Sequence, residues 1–125
     1  MQKGKPLPLL IILPVVTPSN NKLLRMHYFS RKKEKEIYQK WLIAAGVKDL
    51  KFKALGKKRT VEIHSFRKRR LDPDNLIGGM KLLIDSLCDV GLIWDDSPKY
   101  LDLTVIQETE RKNPRTEIKI IREEQ

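Results

Sequence analysis

The residues best equipped for chemistry in this chain are two pairs of aspartates, Asp72 with Asp74 and Asp95 with Asp96. The first pair directly follows a basic run, Arg67-Lys68-Arg69-Arg70. Clustered carboxylates are hard oxygen donors, suited to Mg²⁺ or Mn²⁺, which take a few carboxylates and keep several waters. Two such ions can activate a water and stabilise a leaving oxygen in phosphodiester hydrolysis. Cations just ahead of the carboxylates would hold the phosphates to be attacked. The plainer reading of Asp72-Pro73-Asp74-Asn75 is a turn and a helix cap, with Lys81 paired to a neighbouring acid.

The elements between the pairs must position them. Leu76, Met80, Leu83, Ile84 and Leu87 recur at the spacing of one apolar helix face, which predicts a helix from about Asn75 to Val90, capped by Asp74 or Asn75. Such a helix carries the chain about 24 Å at 1.5 Å per residue. Gly91 is a suitable left-handed stop. An extended return from Gly91 to Asp96 would cover about 20 Å and bring Asp95 or Asp96 back beside Asp72 and Asp74. Lys81, leaning toward the helix N-terminus, would point at the same place and stabilise phosphate charge in the transition state. Asp85 stands four residues after Lys81 and is expected to pair with it.

The run Asp72-Pro73-Asp74-Asn75, Lys81, Asp85-Ser86-Leu87, Gly91-Leu92-Ile93 and Asp95-Asp96 resembles the signature of the RusA family of Holliday-junction resolvases. Ser19-Asn20-Asn21-Lys22 and Arg25-Met26-His27-Tyr28 also resemble phage members, so the likeness spans most of the chain. Gly78-Gly79 lengthens the interval between Asp74 and Lys81 relative to some members. The resemblance implies a homodimeric, Mg²⁺-dependent endonuclease that cuts four-way DNA junctions by paired, symmetric incisions. It implies Asp72, Asp74 and one of Asp95 and Asp96, with Asp96 preferred, as metal-binding catalytic carboxylates, and Lys81 as the catalytic lysine. Two-fold symmetry would suit two active sites to the two symmetric strands of a junction.

Charge is consistent with a polyanionic partner. The net charge is +10, and it is unevenly placed. Residues 1–70 hold 19 basic and 4 acidic side chains, whereas residues 71–125 hold 7 and 12. Candidate DNA contacts are Arg31, Lys32 and Lys33; Lys57, Lys58 and Arg59; and Arg67, Lys68, Arg69 and Arg70. A generic basic nucleic-acid binder has no need of the carboxylates in the second half. Competing readings are a nuclease for other branched DNA, a non-catalytic DNA-binding protein and an RNA-associated basic protein.

One cysteine, Cys88, excludes an internal disulfide and reads as a small core residue. With two histidines, His27 and His64, it cannot make a zinc set without carboxylates. The apolar stretch Leu7–Val16 holds two prolines and is too short to span a membrane. A cytoplasmic protein is expected.

The remaining patterns predict a strand at Leu9–Val16, a helix at Arg25–Ala45, a hairpin over Lys51–Phe66 with cations at its turn, and a final hairpin of Tyr100–Thr109 with Thr116–Ile121. His27, Tyr28 and Phe29 are expected in a hydrophobic staple or the core, with base stacking as the functional alternative. Together these elements predict a single α+β domain: a mixed, mostly antiparallel sheet flanked by helices.

Overall fold

The apolar residues follow two periods, and the backbone follows them. In chain order the elements are β1 (Leu9–Leu13), α1 (Asn20–Arg25), α2 (Tyr28–Ala44), β2 (Arg59–Arg67), α3 (Pro73–Gly78), α4 (Lys81–Asp89), β3 (Leu101–Thr109) and β4 (Arg115–Ile121). The structure is a computed structural model and describes residues 8–46 and 53–121.

β2 alternates strictly, with Arg59, Val61, Ile63, Ser65 and Arg67 buried on one face. It is a central strand, parallel to β3 and antiparallel to β4, and β4 pairs antiparallel with β1. The strand order is β1-β4-β2-β3. Ile11 and Leu13, Val61 and Ile63, and Ile118 and Ile120 meet the helices on one side of this sheet in a single core cluster. α4 contributes most from the helical side, burying Leu82, Leu83, Ile84 and Leu87. Each such side chain is worth about 1.5–3 kcal/mol relative to exposure. α2 packs on α4 through Tyr38 and Leu42, and Asp89 ties the pair by accepting from Lys35 and Gln39, both at 2.9 Å. The expected single α+β domain with a mixed, mostly antiparallel sheet is thus the observed one. Among the described residues, no helix is long and apolar enough to cross a membrane.

Several boundaries differ from the sequence reading. The expected hairpin of the last two strands does not form, because β2 lies between β3 and β4. Alternation predicts a strand but not its partner. Of the expected hairpin over Lys51–Phe66, β2 is the second arm, and the described part of the first arm, from Lys53, is not a strand. Lys51 and Phe52 lie outside the described residues, and Ala54 to Lys57 make a turn closed by the Lys57 N–H donating to the Ala54 carbonyl. The first strand stops at Leu13 rather than Val16, and the first long helix divides at Met26 and His27.

The helix expected over Asn75–Val90 starts earlier and is broken. Asp72, not Asp74 or Asn75, is its cap, accepting from the Asn75 N–H at 2.9 Å, with Pro73 in the first turn. The break falls at Gly79 and Met80. A Cβ on Gly79 would stand 1.9 Å from the Pro18 carbonyl oxygen, so the backbone approach here admits only glycine. Gly91 takes φ +85° and ends α4 as expected. The return after it is not an extended strand. Leu92 and Ile93 are buried and fold back on Leu87, whose carbonyl accepts from the Leu92 N–H.

Candidate functional site

The site is built around the α3–α4 junction. α1 docks on α3, and the Asn21 N–H donates to the Asn75 side-chain oxygen at 2.9 Å. The other end of the same amide donates to Asp72 Oδ2 at 2.9 Å. Asn75 therefore fixes the first carboxylate and joins it to the Ser19–Asn21 segment. The approach to Asp72 is clamped as well. Gln107 on β3 accepts from the Leu71 N–H at 3.0 Å and donates to the Leu71 carbonyl at 2.7 Å.

Beside this junction lies an open cleft of about 400 Å³. Asn20, Gly78, Lys81 and Asp96 line it over Met80 and Ile84. Stretches remote in sequence thus meet: the Asn20 segment, Gly78, the lysine and Asp96 of the second acidic pair. Lys81 is exposed, and its ammonium lies 3.8 Å from Asp85 Oδ2. The expected pairing with Asp85 is present.

The two aspartate pairs keep different surroundings. Asp72 and Asp74 are exposed at the start of α3. Hydrogen bonds from the Asn75 N–H and then its side chain hold the Asp72 carboxyl below its ordinary range. The Asp95 carboxyl is likewise lowered, through hydrogen bonding from Ser97. Asp95 and Asp96 lie close to α4. Burial first, and then Asp96, Asp85 and Asp95, push the Cys88 thiol up to about 11, which disfavours its thiolate form. Among the described residues, no three or more His, Cys, Asp or Glu side chains gather around one point. The expected arrival of Asp95 or Asp96 beside Asp72 and Asp74 is not seen, because the return segment folds onto the end of α4 instead of running back along it.

The donor chemistry nevertheless suits a hard divalent ion. The four carboxylates are exposed oxygens, and two are held ionised by hydrogen bonds. Mg²⁺ is ordinarily held by one or two carboxylates together with waters and substrate phosphates, not by an all-protein cage.

The candidate cations divide by burial. Lys68, Arg69 and Arg70 are exposed just before the acidic pair, and Lys68, Arg69 and Leu71 border a second open cleft of about 510 Å³. Lys32, Lys33 and Lys58 are exposed, and Arg31 and Lys57 are partly so. Arg67 and Arg59 must be withdrawn from the surface set, at 7% and 4% exposure. The Arg67 guanidinium donates to the Thr17 carbonyl at 2.6 Å, the Thr17 hydroxyl at 3.3 Å and the Ser65 hydroxyl at 3.1 Å, and desolvation lowers its pKa. Arg59 donates to the Lys53 carbonyl at 2.9 Å. Both occupy inward positions of β2, where alternation overrides charge.

Sequence reasoning placed Asn20 and Asn75 in its motifs without a role at the site, and it missed Gln107. The spacing of Asp72 and Asn75, a cap and the third helical position, is the signal that finds Asn75, because a polar side chain there reaches back to the cap. Nothing local marks Gln107. No protein-family model matches the chain, and no curated protein matches it significantly.

Proposed function

We propose that this chain is a Mg²⁺-dependent, structure-selective endodeoxyribonuclease that resolves four-way DNA junctions by paired phosphodiester hydrolysis. The observation that carries the reading is the cleft at the α3–α4 junction, which Asp96 and Lys81 line together with Asn20 and Gly78, and whose Asn20 segment is joined to the capping Asp72 through Asn21 and Asn75. Exposed Lys68, Arg69 and Arg70 immediately precede Leu71 and the capping Asp72.

In this reading the basic run grips the backbone and sets a phosphate against the carboxylates. Asp72 and Asp74 at the start of α3, or Asp96 in the cleft, would give the ion one or two carboxylates, with water and substrate phosphate as its other ligands, and the ion would supply charge neutralisation at the phosphate and a more acidic water. Asn75 keeps Asp72 oriented and ionised through its two hydrogen bonds. Lys81 brings positive charge to the cleft shared with Asp96 and offsets the negative charge that develops at the phosphate. Asp95, engaged with the Ser97 N–H at 3.4 Å, supports the turn that presents Asp96. A homodimer would carry two such sites for the two strands.

A second reading, a non-catalytic DNA-binding protein, is favoured by one observation: no three carboxylates converge among the described residues. A nuclease for other branched DNA shares the chemistry of the first reading and differs in substrate shape. The test is a comparison of substrates. Affinity for a fixed four-way DNA junction, a duplex of matched sequence and a structured RNA would be measured at one salt concentration. The proposal expects the junction to be preferred over both. Equal affinity for junction and duplex, or preference for RNA, would overturn it.

A further inference from the structure

Two aromatic side chains stand in water where the sequence suggested packing. Tyr28 and Phe29, the first residues of α2, are 72% and 75% exposed. Their rings meet edge to face at 5.6 Å, with an interplanar angle of 74°. Leu24 beside them is exposed too. Neither ring staples the helix, and neither enters the core cluster. Rings of this size usually bury much of their surface, so an adjacent exposed pair invites a partner.

The surroundings select the partner. From Asn20 to Lys33 the chain carries five Lys and Arg and no acid. Lys22 and Arg25 of the preceding helix are exposed, as are Lys32 and Lys33, four residues after each ring on α2. The open face of the sheet provides a contrast. There Leu10, Ile12 and Ile106 are exposed, but Glu62, Glu108 and Glu117 stand among them, with Lys119 and Arg115 paired to Glu62 and Glu117. That face offers a polyanion little, whereas the aromatic pair is preceded and followed by basic residues, with the first acids of α2 at Glu34 and Glu36. Aromatic faces within a basic track are how proteins hold unstacked bases.

The placement also fits the site. α1 touches α3 at its start, through Asn21 and Asn75, and ends just before the aromatic pair. Its six residues cover about 9 Å at 1.5 Å each, close to three base steps of about 3.4 Å. We infer that Tyr28 and Phe29 form a stacking platform that receives unpaired bases at the branch point while the backbone lies at the α3–α4 corner. This rests on the reading of the chain as a protein of branched DNA and adds a base-contacting surface to it.

The test is a cycle between protein and DNA, run on the full chain in Ca²⁺, under which binding is read without cutting. Wild type, Y28A/F29A and Y28L/F29L would be titrated with a four-way junction, the same junction with abasic sites at the crossover nucleotides, and a linear duplex. Circular dichroism would verify that the variants keep the fold, as the exposure of both rings predicts. The expected result is a loss of about 10-fold or more in junction affinity for Y28A/F29A, with duplex affinity unchanged. The abasic junction should cost wild type a similar factor and the variant little more, because both changes remove the same contact. The Leu variant should behave like the Ala variant. Unchanged junction affinity in Y28A/F29A, or full recovery with leucine, would overturn the platform while leaving the parent reading intact. Loss of binding to phosphatidylserine vesicles with junction binding unchanged would overturn it in favour of a lipid surface. A wild-type chain that binds no DNA would overturn the parent reading and the platform together.

Discussion

Asp72 and Asp74 sit at the start of a helix, whereas Asp95 and Asp96 sit in the loop that follows one. The first pair is tied to its surroundings through Asn75, which bonds Asp72 from both its backbone and its side chain. In the second pair, Asp95 is turned to the Ser97 N–H while Asp96 faces a cleft with Lys81. One member of each pair therefore serves the backbone. Asp74 and Asp96 are less engaged, and Asp72 does two jobs at once. Acidic pairs of similar sequence thus acquire different roles from the local fold, and substitution can separate them.

The largest effect is expected at the less engaged carboxylates. D74N and D96N should each lower junction cutting by more than about 100-fold, beyond what loss of an outer-shell partner costs, while D95N stays within a few-fold of wild type. D74N should bind the junction as well as wild type or more tightly, because it removes a negative charge near phosphate. Cutting rates and binding isotherms on the same preparations check this. D74N cutting at the wild-type rate would show the site to be misassigned.

G79A should lower the stability of the whole α3–α4 corner, by roughly 1–3 kcal/mol or more, since the new methyl meets the Pro18 carbonyl. Urea unfolding measures it. If G79A were as stable as wild type, the Pro18–Asn20 segment would not be packed as described, and the link between the two pairs would be lost.

The basic run before the first pair should divide in the same way. R67A should cost about 1–3 kcal/mol of stability, because it leaves the buried Thr17 carbonyl without its donor. R69A should leave stability alone and weaken DNA binding with a shallower salt dependence. Thermal melts and binding at two salt concentrations separate these outcomes.

The smallest effect concerns the cap. The folded-state carboxyl of Asp72 lies below its ordinary value of 3.8. Its contribution to stability is therefore complete above that value and fades as pH falls through the lower, folded one. D72N keeps a capping side chain without the titration, so it should stay folded and lose cutting. The stability gap between wild type and D72N should be constant above pH 5 and shrink in stronger acid. A gap that widened in acid would contradict the hydrogen bonding at the cap.

Much of the fold was legible because its signals are local. The alternation of β2, β3 and β4, the apolar face of α4 and the stop at Gly91 all follow from period and residue type. Strand pairing did not, since β2 inserts between β3 and β4 through contacts far apart in sequence. Arg59 and Arg67 misled for a related reason. Their charge suggests the surface, but their parity in β2 places them inside with the core residues. In the candidate site, the pairing of Lys81 with Asp85 was readable from spacing, whereas the placement of the two aspartate pairs relative to each other was not, because it depends on how the segment after Gly91 folds. The break at Gly79 was not, because its cause is the Pro18 carbonyl, distant in sequence and invisible until the fold brings it close.

The measurement that tests the central claim most directly is cleavage of a fixed, end-labelled four-way junction by the full chain, with and without Mg²⁺, beside a linear duplex of matched sequence. Paired, symmetric nicks in the junction alone, appearing only with the ion, are the predicted result. Tight junction binding without a nick in either Mg²⁺ or Mn²⁺ would contradict it and leave a DNA-binding protein in place of a nuclease.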